Sequence, residues 1–167
     1  GIVRVAAFNL TYSQRDPRAP IITTGSSHWA QGGVAAVTDP EDSFEAHIKD
    51  TLDAGGGLCD PDVVRATVNA GPEAIAQLNE WGVNFDTEGN SLHLTREGGH
   101  SFRRVVHVAD ATGKAITQTL TDQVLDNGNI ELFNDRVAID LINLSTLGRH
   151  HSRCAGAYVL NRTTGRV

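Results

Sequence analysis

What is missing narrows the field first. The 167 residues include no methionine, so the sequence as written does not begin at a start codon. There are two cysteines, Cys59 and Cys154, too few for a disulfide framework and without metal-ligand spacing, which predicts reduced thiols and no metal site. No apolar run approaches the ~20 residues of a membrane span. No basic-then-apolar leader opens the chain, and the expectation is a cytoplasmic protein with no membrane contact. The net charge of −6 offers no basic surface for nucleic acid. The phosphate-cradling pattern G-x-G-x-x-G is absent; Gly55-Gly56-Gly57 misses it at the last position. There is also no G-x-S-x-G and no Walker-type loop. His150, His151 and Cys154 share a polar loop at a spacing that makes a poor zinc site.

Glycine is plentiful. Seventeen glycines, several in pairs or triplets, let backbone turn sharply or approach a ligand closely. Hydrophobic residues make up 40% and charged residues 20%, ordinary values for a globular chain long enough to form one core.

Residues 2–8 read as a first strand, 9–20 as a loop and 20–24 as a short strand. Asp39-Pro40-Glu41-Asp42 predicts a helix start, with Asp39 as cap and Pro40 in the first turn. Phe44, Ile48 and Leu52 then form one apolar stripe, and Gly55-Gly56-Gly57 ends it. Asp60-Pro61 repeats the start signal. Val64 and Val68 continue the apolar face, Gly71-Pro72 predicts a break, and Ile75, Leu78 and Trp81 predict a buried side up to Gly82. The helical block covers roughly 40–81. Strands are predicted at 91–95, 103–108, 130–133, 137–144 and 155–160, a helix at 112–125 and a turn at Thr164-Gly165. This alternation predicts an α/β fold, with the helical block followed by strands and a β-meander.

Three segments carry groups capable of chemistry. Ser26-Ser27-His28-Trp29-Ala30-Gln31-Gly32-Gly33 combines hydroxyls, an imidazole, an indole, an amide and two glycines. Such a set suits the polar rim of a flavin, while composition alone reads as an ordinary turn. His93-Leu94-Thr95-Arg96-Glu97-Gly98-Gly99-His100-Ser101-Phe102-Arg103-Arg104 offers a carboxylate for an ammonium group and arginines for carboxylates. Its alternative reading is a solvated loop with surface ion pairs. The third runs from His107 to Gly113, where Asp110 or Thr112 is a candidate helix cap and the helix start a candidate anion site.

In order and spacing, these three segments, with Asp39-Pro40-Glu41-Asp42-Ser43 and the stretch from Ala54 to Asp60, resemble the L-aspartate oxidase family. That family sits within the succinate dehydrogenase and fumarate reductase flavoprotein superfamily. The resemblance covers residues 25–167 and leaves 1–24 unmatched, so the chain is expected to be a single partial FAD-binding domain. It implies FAD-dependent oxidation of L-aspartate to iminoaspartate, with oxygen or fumarate reoxidising the flavin. Quinolinate synthase would be the downstream partner in de novo NAD synthesis.

The resemblance also assigns residues. Ser26, Ser27, His28, Trp29, Ala30, Gln31, Gly32 and Gly33 match the family's second FAD-contacting stretch. In covalent members a histidine five residues before the glutamine of A-Q-G-G carries the flavin; here that place is Ser26, which implies non-covalent FAD. Glu97 matches the acidic residue placed near the substrate amino group, and Val137 the adenine-contacting backbone. The family's pyrophosphate-binding glycines have no match, and its catalytic arginine and substrate histidines would lie beyond Val167. Two other readings stand beside it: a fumarate reductase or succinate dehydrogenase flavoprotein, which Ser26 and Glu97 oppose, and a non-catalytic remnant domain.

Overall fold

The computed structural model describes residues 26–131, 133, 135–145, 148 and 152–167. The elements expected at 2–8, 9–20 and 20–24, and His150 and His151, lie outside them. The chain divides into two compact units, one of them Ser26–Leu120 and the other including Thr121–Val167.

Helices and strands are mixed, in keeping with the α/β expectation. In the first unit, β1 (Val34–Ala35) is antiparallel to β4 (Val105–Val106), with Val34 opposite Val106. Helix α1 (Phe44–Ala54) and helix α2 (Pro61–Glu80) follow β1, and a small antiparallel pair, β2 (Thr87–Glu88) with β3 (Ser91–Leu92), precedes β4. The core gathers Ala36, Ile75, Val83, Phe85 and Val106, with Leu78, Leu92, Leu94 and Ile116 packed around it. Helix α3 (Thr112–Asp126) follows. In the second unit, β5 (Arg136–Asn143) pairs antiparallel with β6 (Cys154–Asn161). No helix among the described residues is long and apolar enough to cross a membrane.

Local signals explain most boundaries. Asp60 caps α2 by accepting from the Asp62 and Val63 N–H groups, with Pro61 at the first position. Gly55 closes α1, and Gly56 and Gly57 follow at φ +57° and +86°, a backbone that favours glycine.

The structure corrects several expectations. Helix α1 begins at Phe44 rather than Pro40, because Ser43 is its cap: the Ser43 hydroxyl accepts from the Ala46 N–H. Asp39 instead closes a separate turn, its carboxylate accepting from the Glu41 N–H and its carbonyl from the Asp42 N–H. Helix α2 runs unbroken through Pro72. Losing one backbone bond there costs about 3 kcal/mol. Burying Val68 and Ile75 on the two sides of it offsets that, at about 1.5–3 kcal/mol each. Trp81 is 40% exposed instead of buried. The predicted strands 91–95 and 103–108 shrink to β3 and β4, with an isolated Thr95–Val105 bridge between them. Ile130 makes a single bridge, and Leu132 of the strand expected at 130–133 lies outside the described residues. Neither Asp110 nor Thr112 caps α3; the Thr112 hydroxyl accepts from the Val108 N–H, and the Gly113 N–H donates to the Ala30 carbonyl.

Candidate functional site

The 26–33 segment is a 3-10 turn (Ser26–Trp29) leading into β1. Two glycines outside the turn's own curvature explain its placement. A Cβ on Gly113 would stand 1.8 Å from the Ser27 carbonyl oxygen, so the start of α3 presses directly on the turn. A Cβ on Gly33 would meet the Val106 carbonyl at 2.5 Å and Val105 Cγ1 at 2.6 Å, so the end of the segment lies against β4. His28 Nδ1 approaches the Thr117 hydroxyl at 3.4 Å, and its ring meets Trp29 edge-on at 5.4 Å.

Packing thus holds the backbone while the chemistry faces outward. Ser26, Ser27, Trp29, Ala30, Gln31, Gly32 and Gly33 are all exposed, Trp29 to 71%, and His28 is half-buried. The Ser26 and Ser27 hydroxyls and the Gln31, Gly32 and Gly33 N–H groups have no hydrogen-bond partner among the described residues. A flavin presents carbonyls and ring nitrogens along one edge and a flat apolar face. Exposed hydroxyls, free backbone N–H groups, an amide and an indole fit both parts.

The second segment returns to the first. A Cβ on Gly32 would lie 3.5 Å from Glu97 Oε1 and 3.8 Å from Oε2, so the Glu97 carboxylate stands directly over that glycine. Glu97 is exposed and carries no salt bridge among the described residues. Val137 is half-buried in β5 opposite Leu160, in the other unit.

Loop 96–103 is only partly the solvated loop of surface ion pairs that composition allowed. Arg104 at its end is completely buried. Its Nε and Nη2 donate to the two oxygens of Asp42, and its Nη1 to Asp50 Oδ2, each at 2.8 Å. Asp50 Oδ2 also accepts from the Ser101 N–H and hydroxyl, both at 2.7 Å. Burial works to raise the Asp50 carboxyl, but Ser101 and the Arg104 guanidinium outweigh it and hold the group down at about 2. The same aspartates oppose the burial of Arg104 and push its guanidinium up. Beside this cluster His47, on α1, packs its ring 5.9 Å from that of His100. Burial first, then the charge of Arg104 and the neighbouring His100, lowers the His47 imidazole from 6.5. A cleft of about 620 Å³ runs along Asp39, Glu41, Asp42, Arg96, Ser101, Phe102 and Arg103, without Glu97 or the 26–33 turn.

A third assembly was not legible in the sequence. His107 Nδ1 lies 3.2 Å from Asp86 Oδ2, and His107 Nε2 lies 2.9 Å from His93 Nδ1. Asp86 also accepts from the N–H of Ala109, whose φ is +42°. The two histidines are 14 residues apart, and only the return of the chain at β4 joins them. The Arg104 cluster was equally hidden, since Asp42 reads as an ordinary helix-start acid. A signal was available in His47 and Asp50, polar groups on α1 beside its apolar stripe, and in Asp42 just before that helix.

A family model described as "FAD binding domain" matches residues 21–167. L-aspartate oxidase of Pseudomonas aeruginosa is 54% identical over 154 residues, covering 87% of this chain and 29% of that protein. The chloroplastic L-aspartate oxidase of Arabidopsis thaliana is 45% identical, covering 85% and 22%. Among solved structures, an E. coli quinol fumarate reductase superposes with a TM-score of 0.72 at 32% identity, covering 81% of this chain and 22% of that one. The chain spans roughly a quarter of the length of the curated relatives it matches.

Proposed function

The chain belongs to the FAD binding domain family, and from that premise we propose that it is part of a flavoenzyme that oxidises L-aspartate to iminoaspartate. The observation that carries this reading is the Glu97 carboxylate standing over Gly32 of the exposed turn. The similarity to L-aspartate oxidases, up to 54% identity, supports it. FAD, when bound, supplies the acceptor for the hydride that carries two electrons from the substrate Cα, while the substrate nitrogen loses a proton.

In this reading Ser26, Ser27, His28, Trp29, Ala30, Gln31, Gly32 and Gly33 form one wall of the flavin site. The free N–H groups of residues 31–33 orient a polar ring edge, and Trp29 covers an apolar face and excludes water. Ser26 stands where covalent members carry a histidine; a serine hydroxyl makes no such link, so the flavin is held non-covalently. Glu97 receives the substrate ammonium. Aspartate has that group, and fumarate and succinate do not. An unpaired carboxylate beside it contributes up to about 4 kcal/mol at 4 Å and an effective dielectric near 20. Oxygen or fumarate takes the electrons onward, and the imine passes to a synthase making quinolinate for NAD.

The fumarate reductase reading draws on the 32% identity to the quinol fumarate reductase. It leaves the charge of Glu97 without a task, because a dicarboxylate offers only repulsion there. Glu97→Gln in the full-length protein separates the two. The ratio of aspartate oxidation to fumarate reduction, each as kcat/KM, is expected to fall roughly tenfold, equivalent to about 1.4 kcal/mol. Equal losses in both directions would rule out the selective role. Acid denaturation of the same preparation is expected to release all the flavin; colour retained by the precipitate would overturn the non-covalent assignment.

A further inference from the structure

We propose that Asp50, on α1, is the positioning residue that sets where the Glu97 carboxylate stands. The proposal rests on the reading of Glu97 as the group that meets the substrate ammonium.

Loop 96–103 leaves the Thr95–Val105 bridge and rejoins it at the same place. The Thr95 N–H donates to the Val105 carbonyl at 3.0 Å, and the Arg104 and Val105 N–H groups donate back to the Thr95 carbonyl at 3.1 and 3.0 Å. Between these points one backbone hydrogen bond holds the loop to itself, from the His100 N–H to the Glu97 carbonyl at 3.2 Å. Gly98 and Gly99 lie inside that turn, Gly99 at φ +86°, and have no side chains with which to anchor it. Its outer hold comes from α1. One carboxylate oxygen, Asp50 Oδ2, gathers the Ser101 N–H, the Ser101 hydroxyl and Arg104 Nη1. Three residues earlier on the helix, His47 packs against His100. Residues 100 and 101 are therefore fixed to the helix, and the His100–Glu97 bond passes that placement to Glu97. The Glu97 carboxylate has no ion pair among the described residues that would place it instead. Arg104 keeps both oxygens of Asp42 when Asp50 is altered, so the core beneath the loop retains its main ion pair.

The test is a double-mutant cycle on the full-length, FAD-loaded protein, with Asp50→Ala, Glu97→Gln and the pair. Asp50→Ala is expected to lower the aspartate-to-fumarate ratio of kcat/KM roughly tenfold, and to lower it by less than about twofold when Glu97 is already Gln. Asp50→Asn keeps an acceptor oxygen for Ser101 and is expected to restore most of the ratio. Ser101→Ala, which removes one of the two Ser101 bonds, gives a smaller loss of the same kind should Asp50→Ala fold poorly. Hydrogen exchange supplies a readout apart from turnover: the amides of residues 98–101 exchange faster in Asp50→Ala while those of α2 are unchanged. A full tenfold loss in the Glu97→Gln background, or unchanged exchange in the loop, overturns the proposal. A Glu97→Gln substitution that lowers both activities equally and leaves their ratio unchanged overturns the functional reading instead, and the exchange data still judge the tether.

Discussion

The two halves of the candidate site meet at Gly32 and Glu97 but are held by opposite physics. The 26–33 turn is placed by close contact: Gly113 and Gly33 let α3 and β4 touch its backbone, and the Ser26 and Ser27 hydroxyls and the N–H groups of residues 31–33 have no partner among the described residues. The 96–103 loop is placed by charge, through Asp42, Arg104, Asp50 and Ser101, and its one free carboxylate points back to the turn. Contact does not titrate, so the turn keeps its shape at any pH at which the core survives. A charge cluster does titrate, and it weakens when one partner is removed. Under the proposed function that division would serve both parts, since a cofactor wall must stay rigid while a substrate-reading group must keep a charge.

Three experiments press on this contrast. The largest effect is expected from Arg104→Leu, which leaves the carboxylates of Asp42 and Asp50, 1% and 14% exposed, without their cation. Breaking a buried pair from one side costs about 3–5 kcal/mol, read as a shift in the urea midpoint. A cost below about 1 kcal/mol, the range of surface pairs such as Arg65–Glu45, would mean the loop is not held by charge. Next comes Gly113→Ala. Its methyl meets the Ser27 carbonyl, and overpacking of this kind costs about 1–3 kcal/mol. Weaker FAD binding is expected alongside, measured by fluorescence titration. Gly128→Ala, where a Cβ meets nothing within 4 Å, is the control. Equal behaviour of the two variants would remove the contact half of the comparison.

The smallest effect is the pH dependence of the charge half. Burial and the charge of Arg104 lower the His47 imidazole in the folded state, so the unfolded chain takes up its proton first. The stability this contributes is intact above 6.5 and is lost as the pH falls from there through the lowered folded value. Asp50, held at about 2 against an ordinary 3.8, adds a second loss between those values. Urea midpoints measured against pH are expected to show both limbs, and His47→Gln to flatten the upper one. An unchanged upper limb in that variant would assign it to another group.

How much could be read beforehand follows from the range of each interaction. Asp60-Pro61, the Gly55-Gly56-Gly57 stop and the 112–125 helix were legible because caps and periodicity act within one or two turns. The start of α1 is not legible locally, because Asp42, a good first-turn acid on local grounds, is drawn to Arg104 some 62 residues away, leaving Ser43 to cap. The continuity of α2 through Pro72 is hidden from local signals for a similar reason, since Gly71 lies against Ala36 in the core and the burial of Val68 and Ile75 outweighs the local penalty.

The candidate site shows the same limit. The resemblance picked out residues 26–33 and Glu97 one by one, but not the approach of Glu97 to Gly32, which is separated from it by most of the first unit. Residue types, spacing and the local start and stop signals were settled by the sequence alone, because each depends on neighbours a few bonds away. Which carboxylate stays free, which arginine is buried and which histidines pair were decided only when β4 returned beside β1, because ion pairs and close contacts act through space and are indifferent to distance along the chain.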